Sequence, residues 1–399
     1  MIGITDGRSA ASALEAFERA IDRSCPADRS VVLRYRRACR LGEDPAADTL
    51  EPLLARTSLG EGMRVVPLFV HRGVTVEALD STSLMATHTH KSVDGCVTTA
   101  HCLRAGHRRI LFESGGNTGA ALTLYASRAG IETFLFLPAE NLPLLDAGTF
   151  AAPGAHVVAV ESAADVKPAA AAFARREGIP RVPELGWRHE AAACIGGFLL
   201  EHLLAHEAPT HFVQGISAAF APIGIYRMLE PFRTRLGGLP SFLGVQQSAN
   251  CPMVRAWRGA GDAGEAPLPS STEGLLARVM YDGAPKTYRT FEDLQRLLSA
   301  TAGDLTTIDR DGFDRWLAEP IEGLTALDHL AAAGLRITTR RGEIVEKAGL
   351  MGLAAAVREI AGGRFPEGSR LLVNVTGGTA ESAGQVLPEL VIGAGEVQQ

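Results

Sequence analysis

The stretch LFESGGNTGAAL, residues 111–122, runs an apolar segment into two glycines, an asparagine and a small-residue helix. Glycines at such a junction let a ligand approach the backbone, and the exposed N–H groups of a helix start favour an anion. The same residues also suit a plain strand-to-helix turn. Upstream, Lys91 stands in the polar stretch ATHTHKSVDG, just ahead of the helical run SVDGCVTTAHCLRAG. The positive end of a helix macrodipole disfavours a charged lysine there, which suits an amine that must form a Schiff base. A solvated surface lysine is the plain alternative. Lysine is otherwise confined to Lys167, Lys286 and Lys347, in a chain that draws nearly all its positive charge from arginine.

Rival chemistries fit these residues less well. A dinucleotide fingerprint needs G-x-G-x-x-G, but Ser114 stands in the place of the first glycine. The acid that would hold a ribose is misplaced too, since Glu132 opens the next apolar run and Glu140 lies beyond its proline. No G-x-x-x-x-G-K-[ST] loop is present. His88 and His90 share one side of an extended segment, but no nearby acid or cysteine completes a ligand set, so no metal is expected. Cys96 and Cys102 fall on the following helix and read as core residues.

The elements that must position these groups alternate along the chain. RRILFE, ETFLFLP, AHVVAV, THFVQG, SFLGVQQ and RLLVNVTGG read as buried strands, and NTGAALTLYASRAG, ADVKPAAAAFARREG and EAAACIGGFLLEHLLAHE read as helices. That order implies an α/β fold with mostly parallel strands, whose ligands sit beyond the carboxyl ends of the strands. Three such ends stand out: Ser114–Gly119, Gly215–Ala219 and Thr376–Gly378. Residues 259–273 are rich in Gly, Pro and Ser and read as a surface loop. Residues 1–57 read as a mostly helical extension packed on the core.

Composition narrows the function classes. With 399 residues the chain can bury a large core in two lobes, and 46% apolar with 21% charged residues is ordinary for a soluble protein. A net charge of −6 gives no footprint for nucleic acid. The six cysteines form no CxxC pair, no run suits a membrane span, and the N-terminal stretch lacks the pattern of a secretory leader. A cytoplasmic protein with a small-molecule substrate, and without nucleic-acid or membrane partners, is the expectation.

Lys91, then SGGNTG, then a loop at 214–219, then a C-terminal strand ending in Thr-Gly-Gly resembles the fold type II pyridoxal-phosphate enzymes, the tryptophan synthase β superfamily. Within it, TSLGEGMRVVPL at 57–68 looks like threonine synthase, while FVQGISA, VQQSANCP and LLVNVTGG look closer to cysteate synthase. The resemblance implies a two-lobed α/β fold with helix-covered, mostly parallel sheets and the active site between the lobes. Its expected divisions are residues 1–90 as an N-terminal extension with part of the large domain, 91–204 as a small domain carrying the Asn turn, and 205–399 as the large domain. Lys91 matches the lysine that binds the cofactor covalently and moves the α-proton. Asn117 matches the asparagine on the cofactor's phenolic oxygen, and Ser114, Gly115, Gly116, Asn117 and Thr118 match the turn that takes the substrate carboxylate. Gly215, Ile216, Ser217, Ala218 and Ala219 match the phosphate cup, and Thr376 the hydroxyl facing the pyridine nitrogen.

This chain departs from the family in three places. The usual cup carries several glycines, whereas QGISAAFAPIG has one before Ser217. VEKAGLMG at 345–352 keeps an acid, Glu346, but puts Lys347 and Gly349 where relatives often have proline and serine. HTHKSVDG replaces a common Ser-Phe-Lys-Asp-Arg. The reaction implied is β-replacement on an activated serine such as O-phosphoserine, by a sulfur nucleophile such as sulfite. Threonine synthase chemistry on O-phosphohomoserine or a deaminating lyase are the alternatives. A homo-oligomer, a dimer first, goes with the resemblance. A nicotinamide-dependent dehydrogenase and a catalytically silent binding module are the readings from other classes, and an absorption spectrum separates them.

Overall fold

All six apolar runs named above form strands, joined by six others that the pattern did not single out. The computed structural model describes residues 10–40, 50–260, 271–281, 290–335, 337, 339–340, 343–344, 347–377 and 386–393. The strands are β1 (Arg64–His71), β2 (Val74–Asp80), β3 (Arg109–Glu113), β4 (Glu132–Pro138), β5 (Ala155–Val160), β6 (His211–Gly215), β7 (Ser241–Gln247), β8 (Asp304–Ile308), β9 (Thr339–Arg340), β10 (Glu343–Ile344), β11 (Arg370–Val375) and β12 (Leu390–Ile392). They build a six-stranded sheet, β1-β2-β11-β6-β7-β8, and a four-stranded sheet, β12-β5-β4-β3, with β9 and β10 pairing separately. Every pair in the two main sheets is parallel except β1 with β2. The fold is therefore two-lobed α/β with mostly parallel sheets, as expected.

Alternation along each strand explains why helices cover both faces. Phe212, Phe242 and Leu372 point into one core, while their neighbours Val213, Leu243 and Val373 point into the other. In the smaller sheet Ile110, Phe112 and Leu135 face one cluster, and Leu111, Phe134 and Phe136 the opposite one. A strand buried on both faces reads as a continuous apolar run, which is why these strands were plain in the sequence.

The described part of the N-terminal extension folds as helices Ala10–Ala20, Val31–Tyr35 and Leu50–Thr57 and buries Phe17, Val32, Tyr35 and Leu54 in the larger core. It also ties down the TSLGEG segment. Glu61, fully buried, accepts from Ser30 Oγ and Ser58 Oγ at 2.6 Å each, from the Leu59 N–H at 2.8 Å and from Tyr125 Oη at 2.6 Å. Tyr125 lies on helix Asn117–Arg128, so this carboxylate fixes the extension against the helix that follows the glycine turn. Cys96 and Cys102 are fully buried, as read. Glu346, Gly378, Lys286 and residues 261–270 of the Gly/Pro/Ser-rich loop lie outside the described residues. Among the described residues no helix is long and apolar enough to cross a membrane.

Candidate active site

Strands β3 and β4 of the smaller sheet and β6 and β11 of the larger one end at a single cavity. Its wall includes Glu113 and Pro138 from the former pair, Gly215 and Thr376 from the latter, and His90 and Lys91 between them. The cavity brings together Lys91, Ser114, Gly115, Asn117, Thr118, Gly215, Ile216, Ser217, Ala218, Ala219 and Thr376. Of the expected site residues, Gly116 alone is absent from this wall. It is instead the cap of helix Asn117–Arg128, where φ of +157° and Val279 Cγ1, 2.7 Å from where a Cβ would sit, require glycine.

The glycine turn is held from several sides. Ser114 Oγ accepts from the Gly116 N–H at 3.1 Å and the Gly119 N–H at 3.0 Å. Its oxygen thus caps the turn first, leaving its hydroxyl proton for a ligand. Asn141 Nδ2 donates to the Gly115 carbonyl at 2.9 Å, and Thr272 Oγ1 donates to Asn141 Oδ1 at 2.8 Å. The N–H groups of Gly115 and Thr118 have no acceptor among the described residues. Such donors at a helix start suit a carboxylate.

Beyond β6 the chain turns into helix Phe220–Leu229, capped by Ala219 in the left-handed region at φ +55°. The Ile216 N–H is spent on the Val245 carbonyl at 2.8 Å. Those of Ser217, Ala218 and Ala219 have no acceptor among the described residues, and all three residues line the cavity. Gln246 braces this loop by donating to the Ser217 carbonyl at 3.3 Å while its Oε1 accepts from the Met253 and Val254 N–H groups. Consecutive unpaired N–H groups at a helix start form an anion nest, without the usual glycines.

Lys91 is the first residue of helix Lys91–Arg104, rather than lying just ahead of it. Its Nζ donates to Asp94 Oδ2 at 3.1 Å. Asp94 is a residue the sequence reading missed, and its only signal was the i, i+3 spacing from Lys91. Burial pushes the Asp94 carboxyl up, but Lys91, Arg188 and His90 outweigh it and hold the carboxyl below its ordinary range. His90 donates its backbone N–H to the Thr376 carbonyl at 3.0 Å, which sets the Lys91 helix start against the end of β11. Burial first, and the Lys91 charge second, push the His90 ring down to about 3, so it is neutral, and its buried Nδ1 has no hydrogen-bond partner among the described residues. Two further cations line the cavity, Lys167 from helix Val166–Glu177 and Arg188 from helix Leu185–Ala205. Arg188 stacks over the Phe220 ring at 4.6 Å.

Thr376 is 8% exposed and faces this cavity. The strand end it occupies is packed by Gly349, since a Cβ there would collide with Gly377 backbone atoms. That contact accounts for glycine at 349. An amine, an anion nest, a neutral hydroxyl and a buried His90 Nδ1 that is unpaired among the described residues, around one cavity, fit a group that carries an aldehyde, a phosphate and a ring nitrogen.

Comparison with known proteins agrees. The family model described as "Pyridoxal-phosphate dependent enzyme" matches residues 83–377. A threonine synthase of Methanosarcina acetivorans is 26% identical over 73% of this chain and 70% of its own length. A cysteate synthase of Methanosphaerula palustris is 27% identical over 69% of this chain and 64% of its own. The solved structure of the processed form of a threonine deaminase from Solanum lycopersicum superposes with a TM-score of 0.57 at 12% identity, covering 85% of this chain and 92% of that one. With most of the chain inside the family model and the fold shared, the protein belongs to the fold type II pyridoxal-phosphate-dependent enzymes, related to threonine synthase and cysteate synthase, and its cofactor is pyridoxal phosphate.

Proposed function

We propose that the enzyme replaces the β substituent of an activated serine such as O-phosphoserine with a sulfur nucleophile such as sulfite. The observation that carries this reading is the pair of cations, Lys167 and Arg188, in the wall of the cavity that also holds Lys91 and the glycine turn. A substrate with a second anionic group besides its carboxylate matches them. The likeness of the segments around Gly215, Gln247 and Thr376 to cysteate synthase supports β- over γ-chemistry.

In this reading Ser217, Ala218 and Ala219 hold the cofactor phosphate, Gly215 and Ile216 shape the loop, Asn117 meets the phenolic oxygen, and Lys91 provides the attaching amine. The N–H groups of Gly115 and Thr118, with the Ser114 hydroxyl, would hold the substrate carboxylate and so orient the α-carbon for Lys91. Pyridoxal phosphate, when bound, supplies a sink for the electron pair left at that carbon. Lys91 Nζ takes the α-proton and later returns it, a role its place at the cavity wall permits. Thr376, a neutral hydroxyl where an acid would enforce a protonated ring, favours loss of a β leaving group over transamination.

Incubation of the purified enzyme with O-phosphoserine and sulfite tests this: cysteate and inorganic phosphate are the expected products. The TSLGEG segment and the threonine synthase relatives favour a second reading. Threonine from O-phosphohomoserine, with O-phosphoserine inert, would put that reading in its place. Pyruvate from O-phosphoserine without sulfite incorporation would make the enzyme a deaminating lyase.

A further inference from the structure

One carboxylate stands directly behind the reacting amine. Asp94 lies in the first turn of helix Lys91–Arg104, is 7% exposed, and accepts from Lys91 Nζ at 3.1 Å. It is absent from the cavity wall, so it reaches a ligand only through Lys91. The basic groups that face it are Lys91 and His90 from its own segment and Arg188 and His189 from helix Leu185–Ala205. Of these, Lys91 alone is hydrogen-bonded to it among the described residues. The spacing puts both side chains on one face of the helix, and a helix N-terminus favours a carboxylate in its first turn.

We propose that Asp94 is a positioning residue for Lys91. It is the seat that receives the lysine side chain whenever the amine is free of the cofactor, and it secures the proton drawn from the substrate until that proton goes back. The α C–H bond breaks, its electron pair stays with the substrate and cofactor, and the proton bonds to Lys91 Nζ. The ammonium so formed donates to Asp94 Oδ2, buried from water. After the nucleophile has added, one of the hydrogens of that ammonium returns to the α-carbon and Nζ is neutral again.

This inference rests on Lys91 being the attaching amine. Borohydride reduction and peptide mapping of wild type and Asp94→Asn therefore come first, and label away from Lys91 would overturn that assignment together with the seat. With the label on Lys91, the rate at which cofactor-stripped protein attaches pyridoxal phosphate reads the seat alone. Asp94→Asn should attach about tenfold faster, because the amine is no longer tied to a charged acceptor. Asp94→Glu should return to within about twofold of wild type. Misfolding slows attachment and does not produce a gain, and Asp94→Ser serves if Asp94→Asn fails to fold. Unchanged attachment rates in the uncharged variants would overturn the seat. The proton-holding half is read from α-deuterated O-phosphoserine or O-phosphohomoserine, whichever turns over, in ordinary water. Asp94→Asn product should keep several-fold less deuterium than wild-type product, and equal retention would overturn that half.

Discussion

Single side chains at this site do their work through what they lack as much as through what they bond. Thr376 keeps a hydroxyl in the cavity, and its carbonyl is already used by the His90 N–H, so its backbone is fixed independently of its side chain. Thr376→Val should therefore leave the melting temperature unchanged and weaken cofactor binding two- to tenfold, the loss of about 0.5–1.5 kcal/mol for one neutral hydrogen bond. Thr376→Ser should bind as wild type does. Equal affinity in all three, measured by equilibrium dialysis, would mean the hydroxyl does not face the ring. Lys91 stands out in the sequence by the scarcity of lysine and its place at a helix entrance, whereas Asn117 and Thr376 were singled out through the family resemblance; all three line the cavity. Asp94 gave no such sign: a carboxylate in a helix reads as solvated until the fold buries it. Ser114 illustrates the opposite limit, since its type suggested a substrate hydroxyl and only geometry shows its oxygen capping the turn.

Elements carry the site by contacts that tolerate little change. The Lys347–Leu350 segment approaches the end of β11 so closely that Gly349→Ala must displace backbone at Gly377. It should cost about 1–3 kcal/mol and lower the melting temperature. Gly186→Ala, in a helix start with open space around it, should be neutral or slightly stabilising, and equal melting shifts in the two would contradict the packing account. Helix Leu185–Ala205 supplies a pH dependence. Burial, then the Arg227 charge, push His189 down to about 4, and its Nδ1 accepts from Arg227 Nη1 at 2.7 Å. The unfolded chain binds this proton near pH 6.5, so the neutral ring's contribution is full above that pH and is lost as pH falls towards about 4. The slope there is at most about 1.4 kcal/mol per pH unit from this group. Denaturant titrations across that window should show a shallower acid loss in His189→Gln than in wild type, and parallel curves would contradict it. The strands buried on both faces were plain in the sequence as unbroken apolar runs. β8 reads Asp-Leu-Thr-Thr-Ile and β12 has only three residues, so neither carries enough apolar signal to be seen without its neighbours. The β1–β2 hairpin was passed over because its first strand is interrupted by Pro67 and is mostly half-buried or exposed.

At the scale of the molecule, two mostly parallel sheets aim the carboxyl ends of β3, β4, β6 and β11 at one cavity, and the N-terminal extension braces the arrangement through Glu61 and Tyr125. The order of motifs along the chain made this architecture readable, since each expected site segment follows a strand. The buried Glu61 hub was not readable, because its partners Ser30, Ser58 and Tyr125 are far apart in sequence. The central claim is that the cofactor is carried between the lobes on Lys91. Borohydride reduction of the purified enzyme, followed by peptide mapping, tests it most directly. The account predicts loss of the cofactor's visible absorbance and a reduced pyridoxyl group on the peptide containing Lys91, with Lys91→Ala unlabelled and inactive. A pyridoxyl group on Lys167, Lys286 or Lys347 in the wild-type enzyme, with Lys91 unmodified, would contradict it.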